Sequence, residues 1–341
     1  MSDDASARRP PSIRDVARLA DVSHQTVSRV LNNHPSIRPE TRDRVLEAME
    51  TLHYVPNRAA RALVTSRSQT IGILAASSTM YGPASSIASI EAAARARGYW
   101  VSTANIDSSN PQSITDGLAH LMAQSVEGLV VIAPQVRVVR ALAAQQLDIP
   151  YVTLQSTDLD PDHTLSVDQI AGARLATKHL ISLGHRHIYH IAGPQDWIEA
   201  EARMRGFLEE MGANDAPITP PILGDWSANF GYYAGSELLR VRDFTAIFAA
   251  NDQMALGLMH AIRDEGLDVP RDISIVGFDD IPEAAHFWPP LTTVRQDFPE
   301  LGRRAVELLL GPAEDSGGAQ TPTTITPELV VRGSAGPAQR L

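Results

Sequence analysis

Apolar residues recur at helical spacing in two short stretches near the amino terminus. Val16, Ala17 and Ala20 form one apolar stripe, and Val27, Val30 and Leu31 form a second. Residues three and four positions apart lie on the same face of a helix. The pattern therefore predicts two short helices that face each other across a tight turn.

The ends and the outer face of these helices carry polar residues. Ser12 precedes the first helix, with Asp15 three residues later, and Ser23 precedes the second. Such side chains stabilise the start of a helix. The outward positions of the second helix hold donors and acceptors suited to base edges and phosphates, namely His24, Gln25, Ser28 and Arg29. An ordinary helical hairpin has the same apolar pattern, so both interpretations stay open at this point.

The following segments are also helical. A helix is predicted from Pro39 to about Leu52, and a shorter segment of good helix formers covers residues 57–63. A helix this short needs outside support in water. Residues 65–70 are expected to form a polar linker.

From Thr70 onward, short apolar runs alternate with helical stretches. Strands are predicted at residues 71–75, 100–104, 128–132, 188–192, 246–249 and 273–278. Helices are predicted at residues 84–97, 114–124, 169–183, 200–211, 229–240 and 254–264, and a loop at 311–320. This alternation is typical of the α/β class, in which helices cover both faces of a parallel sheet. Because about 260 residues exceed one such domain, we expect two lobes of doubly wound parallel sheet.

Composition narrows the function classes. The 341 residues contain no Cys, which excludes disulfides, thiol nucleophiles and thiolate metal sites. The net charge of −11 is divided unevenly, because residues 1–67 hold 11 Arg against 8 acidic residues and the remainder holds 18 basic against 32 acidic residues. A basic head on an acidic body is typical of a DNA-binding protein. The polar start and the absence of a membrane-length apolar run predict a cytoplasmic protein.

Two ordered runs, Asp15–Asn32 and Tyr54–Leu63, match a known family. Further motifs follow in the body, at Leu183–His185, Ala192–Pro194, Gly224–Ala228, Ala250–Gly257, Val276–Asp280 and Pro289–Gln296. From Ser12 to about Arg332 the chain thus resembles the lac repressor (LacI/GalR) family of transcriptional regulators. The resemblance implies a helix-turn-helix head, a hinge helix and a two-lobed, periplasmic-binding-protein-like body.

The resemblance also implies a domain plan. Residues 1–11 are expected to form a disordered tail, 12–55 the DNA-binding domain, 56–69 the hinge helix and linker, 70–333 the effector-binding and dimerisation domain, and 334–341 a tail. Lobe 1 comprises about residues 70–167 and 298–325, and lobe 2 about 168–297 and 326–333, with crossings near Val167, Phe298 and Thr326. No heptad pattern follows Arg332, so we expect a homodimer rather than a tetramer.

The family's contacts with double-stranded operator DNA fall on two segments. In the recognition helix, His24 and Gln25 are implied to read bases, with Arg29 as a further candidate. Contacts to the DNA backbone are implied for Ser23, Thr26, Ser28 and Asn32, although Thr26 has packing and capping as an equal alternative. In the hinge, Leu63 corresponds to a leucine that wedges into the minor groove, and Asn57, Ala60 and Arg61 correspond to its neighbours. The alternative for Leu63 is packing on the body.

The family binds a small-molecule effector between the lobes. The positions of its sugar contacts hold Arg203, Trp226, Asn251, Asp279 and Gln296, and those lining the pocket hold Met80, Pro83 and Phe298. Trp226 offers a flat apolar platform for a pyranose, Asp279 accepts from hydroxyls, and Arg203 and Asn251 donate. This set favours a neutral polyol over a phosphate or a purine. A core role for Trp226 is the alternative, and Asp280 is expected to be structural.

Two positions depart from the family's galactoside-binding pattern. Gln155 stands in place of an aspartate, and Glu199 stands in place of a serine. A galactoside or related glycoside is the first expectation, with a glucoside or an oligosaccharide as alternatives. The predicted function is a sequence-specific repressor of sugar-utilisation genes that leaves a pseudo-palindromic operator when the sugar binds. No catalytic residue, metal or cofactor is expected.

Three other functions fit parts of the chain. A sugar-binding protein would have the same body, but the predicted DNA-binding head and the missing signal peptide oppose it. An enzyme or metal site could use His185 and His187, or Asp279 and Asp280. No nearby carboxylate or Cys completes a metal site with the two histidines, and adjacent strand-end carboxylates point apart. A corepressor-dependent or activating regulator remains open, because sequence does not determine the sign of the response.

Overall fold

The computed structural model describes residues 11–31, 34–55, 67–76, 78–143, 147–155, 163–311 and 323–339. The chain divides into two compact units, one up to Ser68 and one from Gln69 onward. Within the part that the structure describes, no helix is long and apolar enough to cross a membrane.

The first unit contains three helices, α1 (Ile13–Leu19), α2 (His24–Leu31) and α3 (Pro39–Thr51). Its core joins the predicted apolar stripes of α1 and α2 to Val45 and Ala48 of α3. Since an isolated pair of short helices buries little apolar area, α3 supplies the third side of this small core.

Both predicted helix caps are present. The Asp15 carboxylate accepts hydrogen bonds from the backbone N–H and the hydroxyl of Ser12, at 2.9 and 2.6 Å. The Ser23 hydroxyl accepts from the backbone N–H of Thr26 at 3.1 Å. These caps hold α1 and α2 in the predicted helix-turn-helix, which is confirmed.

The second unit contains two six-stranded sheets. The strands are β1 (Thr70–Ala76), β2 (Trp100–Ile106), β3 (Gly128–Ile132), β4 (Tyr151–Leu154), β5 (Thr164–Val167), β6 (Ile188–Ala192), β7 (Ile222–Leu223), β8 (Ala246–Ala249), β9 (Ser274–Asp279), β10 (Thr292–Arg295), β11 (Thr324–Ile325) and β12 (Glu328–Val330). The first sheet, in lobe 1, has the order β11-β5-β4-β3-β1-β2, and the second sheet, in lobe 2, has the order β12-β10-β9-β8-β6-β7. Every described pair is parallel except β10 with β12.

Helices cover both faces of each sheet. They are α4 (Tyr81–Ala96), α5 (Pro111–Ala123), α6 (Val136–Ala143), α7 (Gln169–Ser182), α8 (Ile198–Ala213), α9 (Ala228–Leu238), α10 (Asp252–Asp264) and α11 (Phe298–Leu310), with a 3-10 helix at Pro282–His286. In lobe 1, α4 and α11 pack on one face and α5 and α6 on the other. In lobe 2, α7 and α8 pack on one face and α9 and α10 on the other. The predicted doubly wound, two-lobed body is confirmed.

The chain passes between the lobes three times, after β5, between β10 and α11, and between β11 and β12. The lobes also touch at the loops that follow β3 and β6. Arg137 forms an ion pair with Asp196 at 2.8 Å, and the Ile198 N–H donates to the Pro134 carbonyl at 2.9 Å. These contacts close one side of the cleft between the lobes.

The predicted helices and strands of the body all exist, with ends within three residues of those expected. The sequence pattern missed α6, α11 and the short strands β4, β5, β7 and β10 to β12. Strands of two to four residues are too short to show an alternating pattern. The signal for α11 was present, because Asp297 caps it and Pro299 occupies its first turn.

His185 and the carboxy-terminal residues have structural partners. His185 is buried and its ring nitrogens lie 2.8 Å from Thr245 Oγ1 and 3.0 Å from the Gly336 carbonyl. The described residues after 333 continue along lobe 2, where Ala338 N–H donates to the Leu183 carbonyl at 2.8 Å. His185 therefore fastens this segment to lobe 2.

Candidate functional site

Helix α2 presents a polar outer face. Ser23, His24, Gln25 and Arg29 are exposed, whereas Thr26 and Ser28 are half-buried. Val27 and Val30 hold the opposite face in the core. The side chains predicted to contact DNA in α2 are therefore accessible. Five other predicted DNA contacts, Asn32, Asn57, Ala60, Arg61 and Leu63, lie outside the described residues.

A cavity of about 250 Å³ lies between the lobes of the second unit. All ten predicted effector residues line it, namely Met80, Pro83, Gln155, Glu199, Arg203, Trp226, Asn251, Asp279, Gln296 and Phe298. Met80 and Pro83 come from the start of α4, Gln155 follows β4, and Phe298 opens α11. Asp279 ends β9 and Asn251 caps α10, at the carboxyl edge of the second sheet, where ligands bind in open α/β sheets.

Four polar side chains form a closed hydrogen-bonded ring in the cavity wall. The Arg203 Nε–H donates to Gln169 Oε1 at 2.8 Å, and Gln169 Nε2 donates to Gln296 Oε1 at 2.9 Å. Gln296 Nε2 donates to Asp279 Oδ1 at 2.8 Å, and Arg203 lies 3.3 Å from the same oxygen. We call this set the cleft ring. It fixes the orientation of each member before any ligand arrives.

Burial shapes the electrostatics of the cleft ring. It raises the pKa of Asp279, while Arg203 and Gln296 lower it. Arg203 also donates to the Ala250 carbonyl and lies 3.9 Å over the Phe278 ring. The positive charge of Arg203 is thus committed to protein partners, which leaves the cavity with little attraction for an anionic ligand.

Trp226 is held in an unusual conformation at the cavity wall. Its backbone φ is 71°, in the left-handed region that non-glycine residues rarely adopt. A Cβ on Gly193 would overlap the indole ring, so the glycine makes room for it. Trp197 meets the indole edge-to-face, with ring centroids 5.5 Å apart. Backbone strain of this kind is concentrated at functional sites.

Asn251 has a different role from the predicted donor. Its side-chain oxygen caps α10 by accepting from Met254 N–H at 2.9 Å. Its amide nitrogen donates to the Trp226 carbonyl and to Gln253 Oε1, both at 2.9 Å. Because both amide hydrogens are used, Asn251 positions Trp226 rather than offering a free donor.

The neighbouring carboxylates Asp280 and Asp252 have structural partners. Asp280 forms ion pairs with Arg295 at 2.7 Å and Arg332 at 2.6 Å. Asp252 accepts from Thr293 Oγ1 at 2.6 Å and from a backbone N–H, and burial raises its pKa. Asp280 therefore ties β10 to the carboxy-terminal segment, as its expected structural role requires.

Three cavity side chains carry buried polar atoms without a hydrogen-bond partner among the described residues. They are both amide atoms of Gln155, Oε2 of Glu199 and Nε1 of Trp226. Burial raises the pKa of Glu199 to about 7, although its own backbone N–H and Arg203 lower it. Buried polar groups are normally paired, so these atoms point to a ligand with hydrogen-bonding groups.

Sequence reasoning missed seven polar or aromatic residues of this cavity, namely Thr79, Tyr81, Ser86, Ser166, Gln169, Trp197 and Gln253. Gln169 is the first residue of α7, and its partner Gln296 lies 127 positions away. No local pattern marks such a pair. Trp197 had a weak signal, because it stands two residues before Glu199, a position already singled out.

Two family models match this chain, one in the helical head and one in the two-lobed body. The family model for bacterial regulatory proteins of the lacI family matches residues 12–57, and the periplasmic binding protein-like domain matches residues 177–335. The lactose operon repressor of Escherichia coli K12 is 36% identical over 304 residues, which cover 89% of this chain and 84% of that protein. The chain belongs to the lacI family of bacterial regulatory proteins.

Two further lacI-family proteins are similar to this chain over nearly its full length. The HTH-type transcriptional repressor PurR of Haemophilus influenzae is 35% identical over 335 residues, covering 95% of this chain and 98% of that protein. A crystal structure of the lac repressor dimer bound to operator and the anti-inducer ONPF matches with a TM-score of 0.84 at 33% identity, covering 96% and 100% of the two chains. These relatives are repressors, and the present chain is a lacI-family transcriptional repressor.

Proposed function

We propose that this repressor binds a pseudo-palindromic operator as a homodimer and releases it when a neutral glycoside binds between the lobes. The observation that carries the proposal is the cavity, which joins Trp226 to buried polar atoms on both lobes. An indole face suits the C–H face of a pyranose, and convergent donors and acceptors suit its hydroxyls. The regulated genes would then serve sugar utilisation.

The charge balance supports a neutral ligand. Arg203 is the cavity's positively charged lining residue among those described, and it is already paired with Asp279 and two carbonyl-type oxygens. A phosphate or sugar acid would have to break these bonds to gain a counter-charge. A hydroxyl needs no such exchange, because Asp279 Oδ2 and the unpartnered atoms of Gln155 and Glu199 remain available to it.

The proposed contacts with DNA lie in α2 and in the hinge segment. His24 and Gln25, at the exposed start of α2, would read base edges, and Arg29 would contact a base or a phosphate. Backbone contacts are proposed for Ser23, Thr26, Ser28 and Asn32. In the hinge, which lies outside the described residues, we propose that Leu63 wedges into the minor groove with Asn57, Ala60 and Arg61 beside it. Leu63→Ala is expected to weaken operator binding in a band-shift assay. An unchanged affinity would contradict the wedge hypothesis.

Dimerisation is supported by two observations. A solved relative is a dimer on its operator. In lobe 2, Tyr233 and Trp288 are 64% and 82% exposed, and aromatic side chains of this kind are enriched in the cores of subunit interfaces. Light scattering at micromolar concentration should give twice the chain mass; a monomer or a stable tetramer contradicts the proposal.

A corepressor-dependent member of the family is the second candidate. The relatives do not separate the two candidates, because the repressor PurR is 35% identical over nearly the full length of both chains and the lactose operon repressor is 36% identical. The two candidates differ in the sign of the ligand's effect on DNA binding. A solute-binding role is opposed by the accessible polar face of α2 in its folded head.

A band-shift assay on the DNA upstream of the gene distinguishes these candidates. Lactose, cellobiose and adenine are added separately to the complex at constant salt, because protein–DNA affinity depends steeply on salt. Release by either sugar, without release by adenine, supports the proposal. Tighter binding in the presence of a ligand supports the corepressor candidate, and a response to adenine alone contradicts the glycoside.

A further inference from the structure

The unpartnered polar atoms of the cavity come from opposite walls. Gln155 follows β4 in lobe 1, and Glu199 lies in the first turn of α8 in lobe 2. Neither Oε2 of Glu199 nor the amide atoms of Gln155 have a hydrogen-bond partner among the described residues, although all are buried. The cleft ring, by contrast, is internally satisfied. A ligand therefore gains most by supplying partners to Gln155 and Glu199.

Glu199 differs from the other ionisable groups around it. Among the described residues, the charged or titratable side chains that line the cavity are Tyr81, Glu199, Arg203 and Asp279. Asp279 has Arg203 at 3.3 Å, and Asp252 behind it is held by hydrogen bonds outside the cavity wall. Tyr81, from α4, carries no charge at neutral pH, since burial raises its pKa. Among these lining residues, Glu199 is thus the carboxyl that has no positively charged group in contact with it.

We propose that Glu199 is the specificity-determining carboxyl of the effector cavity, and that it accepts a hydrogen bond from a ligand hydroxyl and releases a proton when the ligand binds. Gln155, from the facing lobe, would bind the ligand through its amide. This inference rests on the proposed function of the cavity as a glycoside site. It adds that effector affinity depends on pH through one residue.

The size of the pH effect on effector affinity follows from the pKa of Glu199 in the unliganded protein. Burial raises the pKa of Glu199 to about 7, so its carboxyl is protonated about half of the time at neutral pH. A ligand hydroxyl that donates to the carboxylate favours the ionised form and lowers this pKa. If the carboxyl is almost fully ionised in the complex above pH 6, affinity rises about ninefold between pH 6 and pH 8.

Calorimetric titration of the full-length protein tests the inference. Lactose and cellobiose are titrated at pH 6 and pH 8, and at pH 7 in two buffers of different ionisation enthalpy. We expect the sugar that binds to do so about ninefold more tightly at pH 8, with release of about half a proton at pH 7. Glu199→Gln should remove both effects, whereas Glu201→Gln, an exposed residue of the same helix, should keep both. Operator binding in a band-shift assay shows that each variant is folded.

The possible results of the titration distinguish this inference from the proposed glycoside-binding function. Sugar binding that is independent of pH, that weakens as pH rises, or that keeps its pH dependence in Glu199→Gln overturns the inference and leaves the glycoside proposal standing. Failure of both sugars to bind the wild-type protein and Glu199→Gln at either pH contradicts the proposed function, and the inference falls with it.

Discussion

Replacement of Arg203 by Met removes a buried charge while keeping most of the apolar stem. In the wild-type protein Arg203 is 5% exposed and joins Gln169, the Ala250 carbonyl and Asp279. In Arg203→Met, Asp279, which is 6% exposed, would keep the hydrogen bond from Gln296 as its single side-chain partner among the described residues. The substitution thus leaves a carboxylate in the body without its counter-charge.

Removing one partner of a buried ion pair costs about 3–5 kcal/mol of unfolding free energy. In a body of this size that corresponds to a fall in Tm of about 6–15 °C. The loss should also depend on pH. Burial raises the pKa of Asp279, and Arg203 is the largest opposing influence. An acid with a higher pKa in the folded state retains a proton that the unfolded state releases, so stability falls as pH rises. The variant should therefore lose more at pH 8 than at pH 5.

Thermal unfolding followed by circular dichroism, at fixed protein concentration, measures these changes. Arg205→Met is the matched control, because Arg205 lies on the same helix, is 69% exposed in its side chain and pairs with Glu209 at 2.7 Å. Its loss should stay below about 1 kcal/mol. Arg203→Met combined with Asp279→Asn should be more stable than the sum of the single losses by about 1–3 kcal/mol. A loss under about 1 kcal/mol in Arg203→Met, or strict additivity in the double variant, would refute the buried-pair argument.

Three further predictions use other parts of the chain. Since the pKa of Glu199 is raised to about 7, the wild-type protein should lose about 2 kcal/mol of stability relative to Glu199→Gln between pH 5.5 and pH 8, as measured by denaturant titrations of both unliganded proteins. Buried His190, whose pKa is lowered to about 4, contributes in the opposite direction to both proteins alike. Gly193→Ala should displace the Trp226 ring, lower stability by about 1–3 kcal/mol and weaken sugar binding in calorimetry, with operator binding retained. Gln25→Ala should lower operator discrimination by about 1–3 kcal/mol in band-shift competition; an equal loss on random DNA would show that Gln25 contacts only the DNA backbone.

Much of the architecture was predictable because burial of one face leaves a local trace. The stripes of α1 and α2, and strands such as β3 and β8, appear as short-range patterns of apolar residues. The helix α11 was not predicted, although Asp297, directly before it, is a residue type that commonly caps the start of a helix. The ten cavity residues were predicted by resemblance to a family, since periodicity alone would not have joined Met80 to Gln296.

The sequence by itself determined the class of the protein, its helix-turn-helix head and the residue types that the cavity contains. Only the tertiary structure decided what those residues are free to do. It closed Arg203, Gln169, Gln296 and Asp279 into a ring, and it consumed both amide hydrogens of Asn251. Among the described residues, it left Oε2 of Glu199 buried without a hydrogen-bond partner. Hydrogen bonds and desolvation depend on groups far apart in the chain, so a one-dimensional pattern does not contain them.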